Sequence, residues 1–377
     1  MPYNDVCGIY NTRSEDDMDR NKVRGMVIGG AIGDALGMPV ETWTPEKIAE
    51  VYPNGIERFI PPTNHKWFDP EKTPAGSTTD DTQLTLATMR GLIAGHVESG
   101  LEDKPDLPGY YMHGIVRAHV AAMRATTDGW GHTTRDAIRR LSNGVSWENS
   151  GRTNDSNRGT GNGVPMKCSP LAAWYLSPVA EPVTKTFNFH QMCVDYSAIT
   201  HYTKMSAQSC ICHVEAMIYC LQKSPSEFNT MEFLEVVSDR VWEAGEKGQY
   251  NVSHLNDTKD KLEDRMLLLY QIRDSLPSMT QEEIITSIGN GSCYVYDSLP
   301  FSYAWFVKNP HSFQILQQVI QAGGDTDTNA KIVGEMLGAL HGFEAIQTYM
   351  PWAMQELIDG DKMLALADRF CDTFEIK

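Results

Sequence analysis

Between residues 23 and 41 the chain reads VRGMVIGGAIGDALGMPVE, with Gly25, Gly29, Gly33 and Gly37 recurring every four residues and Pro39 marking the end. On a helix that spacing places the glycines along one slowly drifting face. A face without side chains lets another backbone approach closely, so the stretch predicts a helix packed tightly against a second element. A dinucleotide-binding reading is weak: no β-rich segment precedes the stretch, and Gly30, Gly33 and Gly37 do not fit G-x-G-x-x-G. The phosphate-loop pattern G-x-x-x-x-G-K-[ST] is absent from the chain.

Helical patterns, several amphipathic at three-to-four spacing, continue over residues 81–93, 110–124, 134–142, 169–176, 190–221, 230–247, 259–275, 281–288, 312–321, 327–346 and 351–370. Residues 43–78, rich in Pro, Asn, Asp and Trp, read as a long loop. Alternating β-branched runs are scarce, and Cys293 to Val295 is too short to carry a sheet. No internal repeat and no linker divides residues 23–370, and the charged segment 222–290 reads as an excursion rather than a separate domain. The expectation is an all-α fold: one compact multi-helix domain over residues 23–377, preceded by a polar arm over residues 1–22 that is flexible or binds a partner.

With 377 residues, 41% of them hydrophobic and 21% charged, the chain can bury a large core. A net charge of −17 opposes sequence-independent nucleic-acid binding, which depends on Lys and Arg neutralising phosphates. No apolar run approaches the roughly 18 residues of a membrane span, and the N-terminus lacks a basic-then-apolar signal pattern. The eight cysteines include no C-x-x-C pair. Cys210-Ile211-Cys212 lies in a helical pattern, so buried reduced thiols and a cytoplasmic protein are expected, with neither nucleic acid nor membrane as partner.

Two short clusters carry the chemistry: Thr79-Asp80-Asp81, and Asp325-Thr326-Asp327-Thr328 directly after Gly323-Gly324. Each stands just before a helical pattern, where Asp and Thr commonly cap the free backbone N–H groups. Capping explains either cluster alone but accounts poorly for two of one composition. Hard oxygen ligands without histidine or cysteine suit Mg²⁺, Mn²⁺ or Ca²⁺ and fit zinc poorly. Brought together by the fold, the clusters would offer four carboxylates and two hydroxyls, enough for one or two divalent ions. An EF-hand is excluded, because counting from Asp325 puts Ala330 and Met336 where that loop needs Gly and Glu. An Asp-nucleophile phosphotransferase is disfavoured by the QQVIQAGG that precedes Asp325 and by Asn329 at the fifth place.

Further polar segments punctuate the chain between the clusters: Asp128 to Thr134 as a turn into a helix, the glycine-rich Gly159 to Lys167, Thr200-His201-Tyr202 opening a helix, and Gly289 to Tyr294. Glycine-rich turns with Asn and Lys can offer backbone N–H groups and positive charge to a phosphate. Read in order, the segments GGAIGDALGMPVE (29–41), TTDDTQLTLA (78–87), DGWGHTT (128–134), GNGVPMKCSPLA (161–172), THYTKMSAQS (200–209), GSCYVYDSLPFSYAWF (291–306) and GGDTDTNAKIVGEMLGALHG (323–342) resemble the ADP-ribosylglycohydrolase family, of the dinitrogenase reductase-activating glycohydrolase type.

The resemblance implies an all-helical fold with a central cleft holding two Mg²⁺ or Mn²⁺ ions, and hydrolysis of the bond between ADP-ribose and an acceptor, often an arginine of a modified protein. It implies metal ligation by Thr79, Asp80, Asp81, Asp325, Asp327 and Thr328. It places Glu41 beside the metals as an acid and Asp128 facing the ribose; either Asp81 or Glu41 could then take a proton from a metal-bound water. Gly161, Asn162 and Gly163 would approach the diphosphate, and His201 would line the ADP-ribose cleft. Trp130 and Tyr294 are aromatic enough to stack on adenine but read more simply as core. Departures are Lys167, where relatives usually have Arg, Lys331, where a small apolar residue is usual, and Trp130 and His132 in their turn. The implied partner is an ADP-ribosylated protein. The alternative is an immunity-type protein that blocks an ADP-ribosyltransferase toxin through its N-terminal arm, with or without hydrolysis.

Overall fold

The computed structural model describes residues 18–63, 65–100, 107–155, 158–180 and 188–377. The helices that build the core and the site are α1 (Arg20–Gly37), α2 (Asp80–Ser99), α3 (Leu107–Ala125), α4 (His132–Ser142), α5 (Ser169–Leu176), α6 (Phe189–Ala198), α7 (Lys204–Gln222), α8 (Thr230–Val237), α9 (Val295–Lys308), α10 (Thr326–His341) and α11 (Gly360–Thr373). The all-α expectation holds: among the described residues there is no strand, and the extended pairings are two isolated bridges, Gly161 with Tyr294 and Thr203 with Asn256. No described helix is long and apolar enough to cross a membrane. Of the expected arm, residues 1–17 lie outside the described residues. Helix α1 starts at Arg20, where the Asp19 carboxylate accepts from the Lys22 backbone N–H at 2.8 Å.

The glycine face of α1 meets α10. A Cβ on Gly25 would strike the Gly338 carbonyl, one on Gly29 that of Gly334, one on Gly33 that of Ala330, and one on Gly37 that of Thr326. Positions rise along α1 as they fall along α10, so the two helices are antiparallel. The partner face has its own small residues at the same period, Ala330, Gly334 and Gly338. Both helices are buried along almost their whole length, and at this separation backbone meets backbone. Thr326 Oγ1 ties the far end by donating to the Gly37 carbonyl at 2.7 Å. A second close pair forms between α2 and α3, where Gly91 and Gly95 face Gly114 and its neighbours.

Around this pair the core is continuous. Helix α7 is buried on all sides, packing on α5, α6, α8, α9 and α10, and α11 closes α1 and α2 from outside, with Arg24 pairing Asp368 at 2.6 Å. The seven cysteines in the described residues are free thiols, all buried except Cys293.

Several boundaries differ from the expectation. Residues 43–78 contain a short helix, Pro45–Val51, which Thr44 caps by accepting from Lys47 N and which Pro45 opens at a position where no backbone donor is needed. The pattern over 230–247 breaks at Ser238, whose hydroxyl donates back to the Leu234 carbonyl at 2.5 Å and turns the chain into a new helix. The pattern over 327–346 stops where Gly342 takes φ +80°, and a new helix starts at Phe343. Thr200-His201-Tyr202 precede rather than open α7, whose cap is Thr203.

Gly338→Ala should therefore cost about 3 kcal/mol or more, because its Cβ has only the Gly25 carbonyl to displace. Gly131→Ala, at φ −57° with open space around it, should change stability by less than about 0.5 kcal/mol. Thermal unfolding of the two variants beside the parent checks the contrast.

Candidate active site and metal centre

The antiparallel contact sets the C-terminal end of α1 against the N-terminal end of α10, and the chain leaving α1 is pinned there. Thr42 N donates to the Gly324 carbonyl at 2.7 Å, and Gly324 N donates to the Trp43 carbonyl at 3.2 Å. Gly324, at φ +82°, lies so close to the carbonyls of Asn290 and Gly291 that a side chain has no room. This corner delivers Glu41 to the second acidic cluster. One carboxylate oxygen from each of Glu41, Asp325 and Asp327 lies within 4.8 Å of the others.

The first cluster arrives at the N-terminus of α2, positioned by a residue the sequence reading did not single out. Asp34, the one acid of α1 and the only charge in its buried stretch after Arg24, is fully buried. Its carboxylate accepts from Thr79 N and Thr82 N at 3.1 Å and from Thr82 Oγ1 at 2.5 Å. These bonds hold Thr79-Asp80-Asp81 over the end of α1. Thr79 does cap α2, accepting from Asp81 N at 3.2 Å, so the structural reading of that hydroxyl is true as well. Asp325 behaves differently. It stands at the cap position of α10 but makes no side-chain capping bond, and its Oδ2 accepts instead from Asn162 Nδ2 at 2.8 Å. Asp327 accepts from Thr328 N at 2.9 Å.

The two clusters face one another. Burial, then the charges of Asp34 and Asp325, push the Asp80 carboxyl up to about 8. Burial, then Asp34, Asp80 and Asp325, push Asp81 well above its usual range. Burial followed by Glu41, Asp325 and Asp81 does the same for Asp327, and burial followed by Asp325 and Asp80 for Glu41. The positive ends of α2 and α10 both point into this space, yet Asp81 Oδ2 is buried without any hydrogen-bond partner. A buried carboxylate oxygen without a donor is costly to leave so, and an all-oxygen set of this kind fits a hard divalent cation. The residues present therefore fit the metal that the sequence suggests.

Support comes from beneath and beside. Lys331 and Glu335 are buried on α10 and paired at 2.6 Å, and His213 Nε2 meets Glu335 at 2.5 Å. Burial pushes the Glu335 carboxyl up, but Lys331 and His213 outweigh it and hold it below its usual value. The Lys331 charge also reaches Asp34 and Asp81 and opposes their upward shift. His65, from the loop before α2, places Nε2 at 3.3 Å from the Glu41 carboxylate but out of hydrogen-bonding alignment, and burial pushes its pKa down. Phe68 of the same loop lies against Gly129, whose own position leaves Asp80 Oδ1 just 3.4 Å from where a Cβ would stand.

The glycine loop joins the site through Asn162. Its backbone N donates to the Cys293 carbonyl at 3.0 Å, and Val295 N donates to Thr160 at 2.9 Å. Gly161 and Gly163 pass beside the His201 ring; a Cβ on Gly163 would lie 2.7 Å from Cε1. Asp128 is exposed, and its turn contributes to the cluster through Gly129 and through Gly131, whose backbone hydrogen-bonds Asp80. Trp130 is buried and donates to Gln83 at 3.1 Å, and Tyr294 donates to Asp260 at 2.9 Å. The structure thus brings together Thr79, Asp80, Asp81, Asp325, Asp327, Thr328, Glu41 and Asn162, with Gly161, Gly163 and His201 alongside. It leaves the Asp128 carboxylate in solvent. Asp34 had one signal in sequence, an acid inside a glycine-rich apolar stretch. Lys331 had one as well, a charge where a small apolar residue is usual, whereas His65, Glu335 and His213 had none beyond composition.

The model of the ADP-ribosylglycohydrolase family matches residues 15–376. The chain belongs to the ADP-ribosylglycohydrolase family. It is 25% identical over 326 residues to the ADP-ribosyl-[dinitrogen reductase] glycohydrolase of Rhodospirillum rubrum, covering 86% of this chain and 87% of that one. It is 23% identical over 358 residues to the ADP-ribosylhydrolase ARH3 of Homo sapiens, covering 90% of each. It is 24% identical over 354 residues to the ADP-ribosylarginine hydrolase Tri1 of Serratia proteamaculans, covering 93% of this chain and 78% of that one. A solved structure described as an ADP-ribosylglycohydrolase-related protein complex shares the fold, with a TM-score of 0.56 and 19% identity across 94% of this chain and 98% of that one.

Removing the Asp34 carboxylate by Asp34→Ala strands the Thr79 and Thr82 donors and should destabilise the protein by about 2–4 kcal/mol. Chemical denaturation of the chelator-treated protein measures it. The acids also set a pH dependence. Asp80 moves from 3.8 when unfolded to about 8 when folded, so the folded state binds the extra proton. Stability of the metal-free protein should then fall as pH rises between about 4 and about 8. Divalent ions bound at the cluster would replace those protons, so the gain in Tm on adding Mn²⁺ or Mg²⁺ should be larger near pH 8 than near pH 5.

Proposed function

We propose that this protein hydrolyses the N-glycosidic bond joining ADP-ribose to a protein side chain, an arginine guanidine before others, and so reverses mono-ADP-ribosylation. The observation that carries the reading is the convergence of two acidic helix N-termini on the loop bearing Asn162, so that an oxygen-rich centre and a glycine-rich loop adjoin. The family gives the ADP-ribose half of the reading. The choice of arginine rests on the name of the Serratia relative, ADP-ribosylarginine hydrolase, and on the chemistry of a cluster that can stabilise a cation.

Two Mg²⁺ or Mn²⁺ ions held by Thr79, Asp80, Asp81, Asp325, Asp327 and Thr328 would supply Lewis acidity to the ribose hydroxyls and to water. The chain's own groups do the rest. Asp81 Oδ2, buried and without a donor, is positioned to take a proton from the attacking water. Glu41, between Asp325, Asp327 and His65, holds or releases a proton at the edge of the cluster. As the bond to the acceptor nitrogen lengthens, positive charge develops on the ribose, and the facing carboxylates stabilise it in a low-dielectric cleft. Gly161 and Gly163 leave the loop backbone open to a diphosphate. Asp128, exposed at the neighbouring turn, would meet the ribose from the solvent side. At a net charge of −17 the protein as a whole repels an anionic ligand, so attraction has to be local.

Incubating an arginine-ADP-ribosylated protein with the enzyme, with and without EDTA, should release free ADP-ribose only without chelator. Serine-linked and polymeric substrates in parallel fix the linkage. Asp81→Ala and Asp327→Ala should each lower kcat by about 10³-fold; near-parental turnover in both would end the assignment.

A further inference from the structure

Lys167 is a buried cation that the proposed chemistry does not use. It follows the glycine loop directly, its side chain is 1% exposed, and its Nζ donates to the Gly163 carbonyl and, at 3.0 Å, to Thr200 Oγ1. Thr200 is itself fully buried, and its Oγ1 lies 2.9 Å from His201 Nδ1. Tyr196 completes the cage, with its hydroxyl donating to the Lys167 carbonyl at 3.1 Å and its ring 5.8 Å from Nζ.

Donor counting gives this chain of contacts a direction. An ammonium can only donate, so Thr200 Oγ1 accepts from Lys167. The Thr200 hydroxyl proton then has His201 Nδ1 as its acceptor, and among the described residues no other acceptor is paired with it. The reverse arrangement, Nδ1–H donating to Oγ1, would aim two N–H donors at one oxygen beside a positive charge and strand a buried hydroxyl proton. With Nδ1 accepting, a neutral imidazole carries its proton on Nε2. Nε2 is the nitrogen beside the loop: a Cβ on Gly163 would stand 3.1 Å from it and one on Gly161 3.9 Å.

We infer that Lys167 and Thr200 are positioning residues that fix His201 in its Nε2–H tautomer, so that it serves as a hydrogen-bond donor to an oxygen of the ligand lying over Gly161–Gly163 and not as an acid or base. The inference deepens the proposed function and rests on that reading for the identity of the ligand, ADP-ribose. Ionisation agrees with the geometry. Burial, then the Lys167 charge, pushes His201 well below its usual range. Burial lowers Lys167 to about 8, with Asp80 and Asp81 among the charges that oppose the fall, so the ammonium prevails at neutral pH.

The test is the ¹⁵N spectrum of histidine-labelled full-length protein, with the His201 signals assigned by their loss in His201→Gln, together with ADP-ribose affinity by calorimetry. The parent should show Nε2–H for His201. Thr200→Val, which keeps the shape and removes the relay, should lose the single tautomer and bind ADP-ribose about tenfold more weakly. Lys167→Met should behave alike and Lys167→Arg should restore both readouts; if Lys167→Met fails to fold, Thr200→Val decides. An Nδ1–H tautomer in the parent, or an unchanged tautomer in Thr200→Val, overturns the inference. A parent with the expected tautomer that binds no ADP-ribose overturns the functional reading and leaves the relay standing.

Discussion

The site depends on two backbones in contact. Four glycines on α1 and the small residues on α10 let the helices approach until carbonyls occupy the space of side chains. Antiparallel packing at that distance leaves little freedom in register, because sliding by one residue would drive a Cβ into a main chain. The register places the end of α1 at the start of α10, and from there the corner at Thr42, Trp43 and Gly324 carries Glu41 to Asp325 and Asp327. Asp34, on the same helix, reaches across to hold the start of α2. One rigid pair thereby positions three of the segments that contribute carboxylates.

The electrostatic cost of the arrangement is visible in its buried acids. Folding alone gives Asp80, Asp81, Asp327 and Glu41 poor solvation and one another's charges, and each is held away from ionising. Two helix N-termini and the Lys331 charge relieve part of this. A divalent cation bound there would relieve the rest, and an all-oxygen set without soft donors suits a hard one. Natural proteins commonly set such local conflicts where they work, with the surrounding core supplying the stability. Here the surrounding core is the continuous helical packing centred on α7.

How much of this was legible follows from how local each signal is. The glycine period is a property of one helix and could be read directly as a close-approach face. The partner face, Ala330, Gly334 and Gly338, lay in a quoted motif but was not recognised as its complement. The acidic clusters were legible because three or four adjacent residues carry them. Asp34 was a single residue whose three donors come from 45 or more positions away, and His65 sits in a segment with no periodicity at all. Lys331 looked like an anomaly until Glu335 and His213 supplied its partners. Boundaries were missed where one residue decides them: Thr44 with Pro45 starts a helix inside a loop-like composition, and Ser238 interrupts an unbroken apolar pattern. Asp128 matched its motif, yet the turn offers Gly129 and Gly131 to the cluster and leaves the carboxylate outside.

The Gly324 corner has a mechanical corollary. Because the pair of main-chain hydrogen bonds joining Thr42 and Trp43 to Gly324 stands next to both Glu41 and Asp325, that side of the site cannot yield without unpicking the junction of α1 and α10. In the proposed reaction, a bulky modified protein presenting its sugar to the centre would then be accommodated by the His65–Phe68 segment and the Gly129 turn that packs on it. Differences between family members in which proteins they admit should accordingly concentrate on that side.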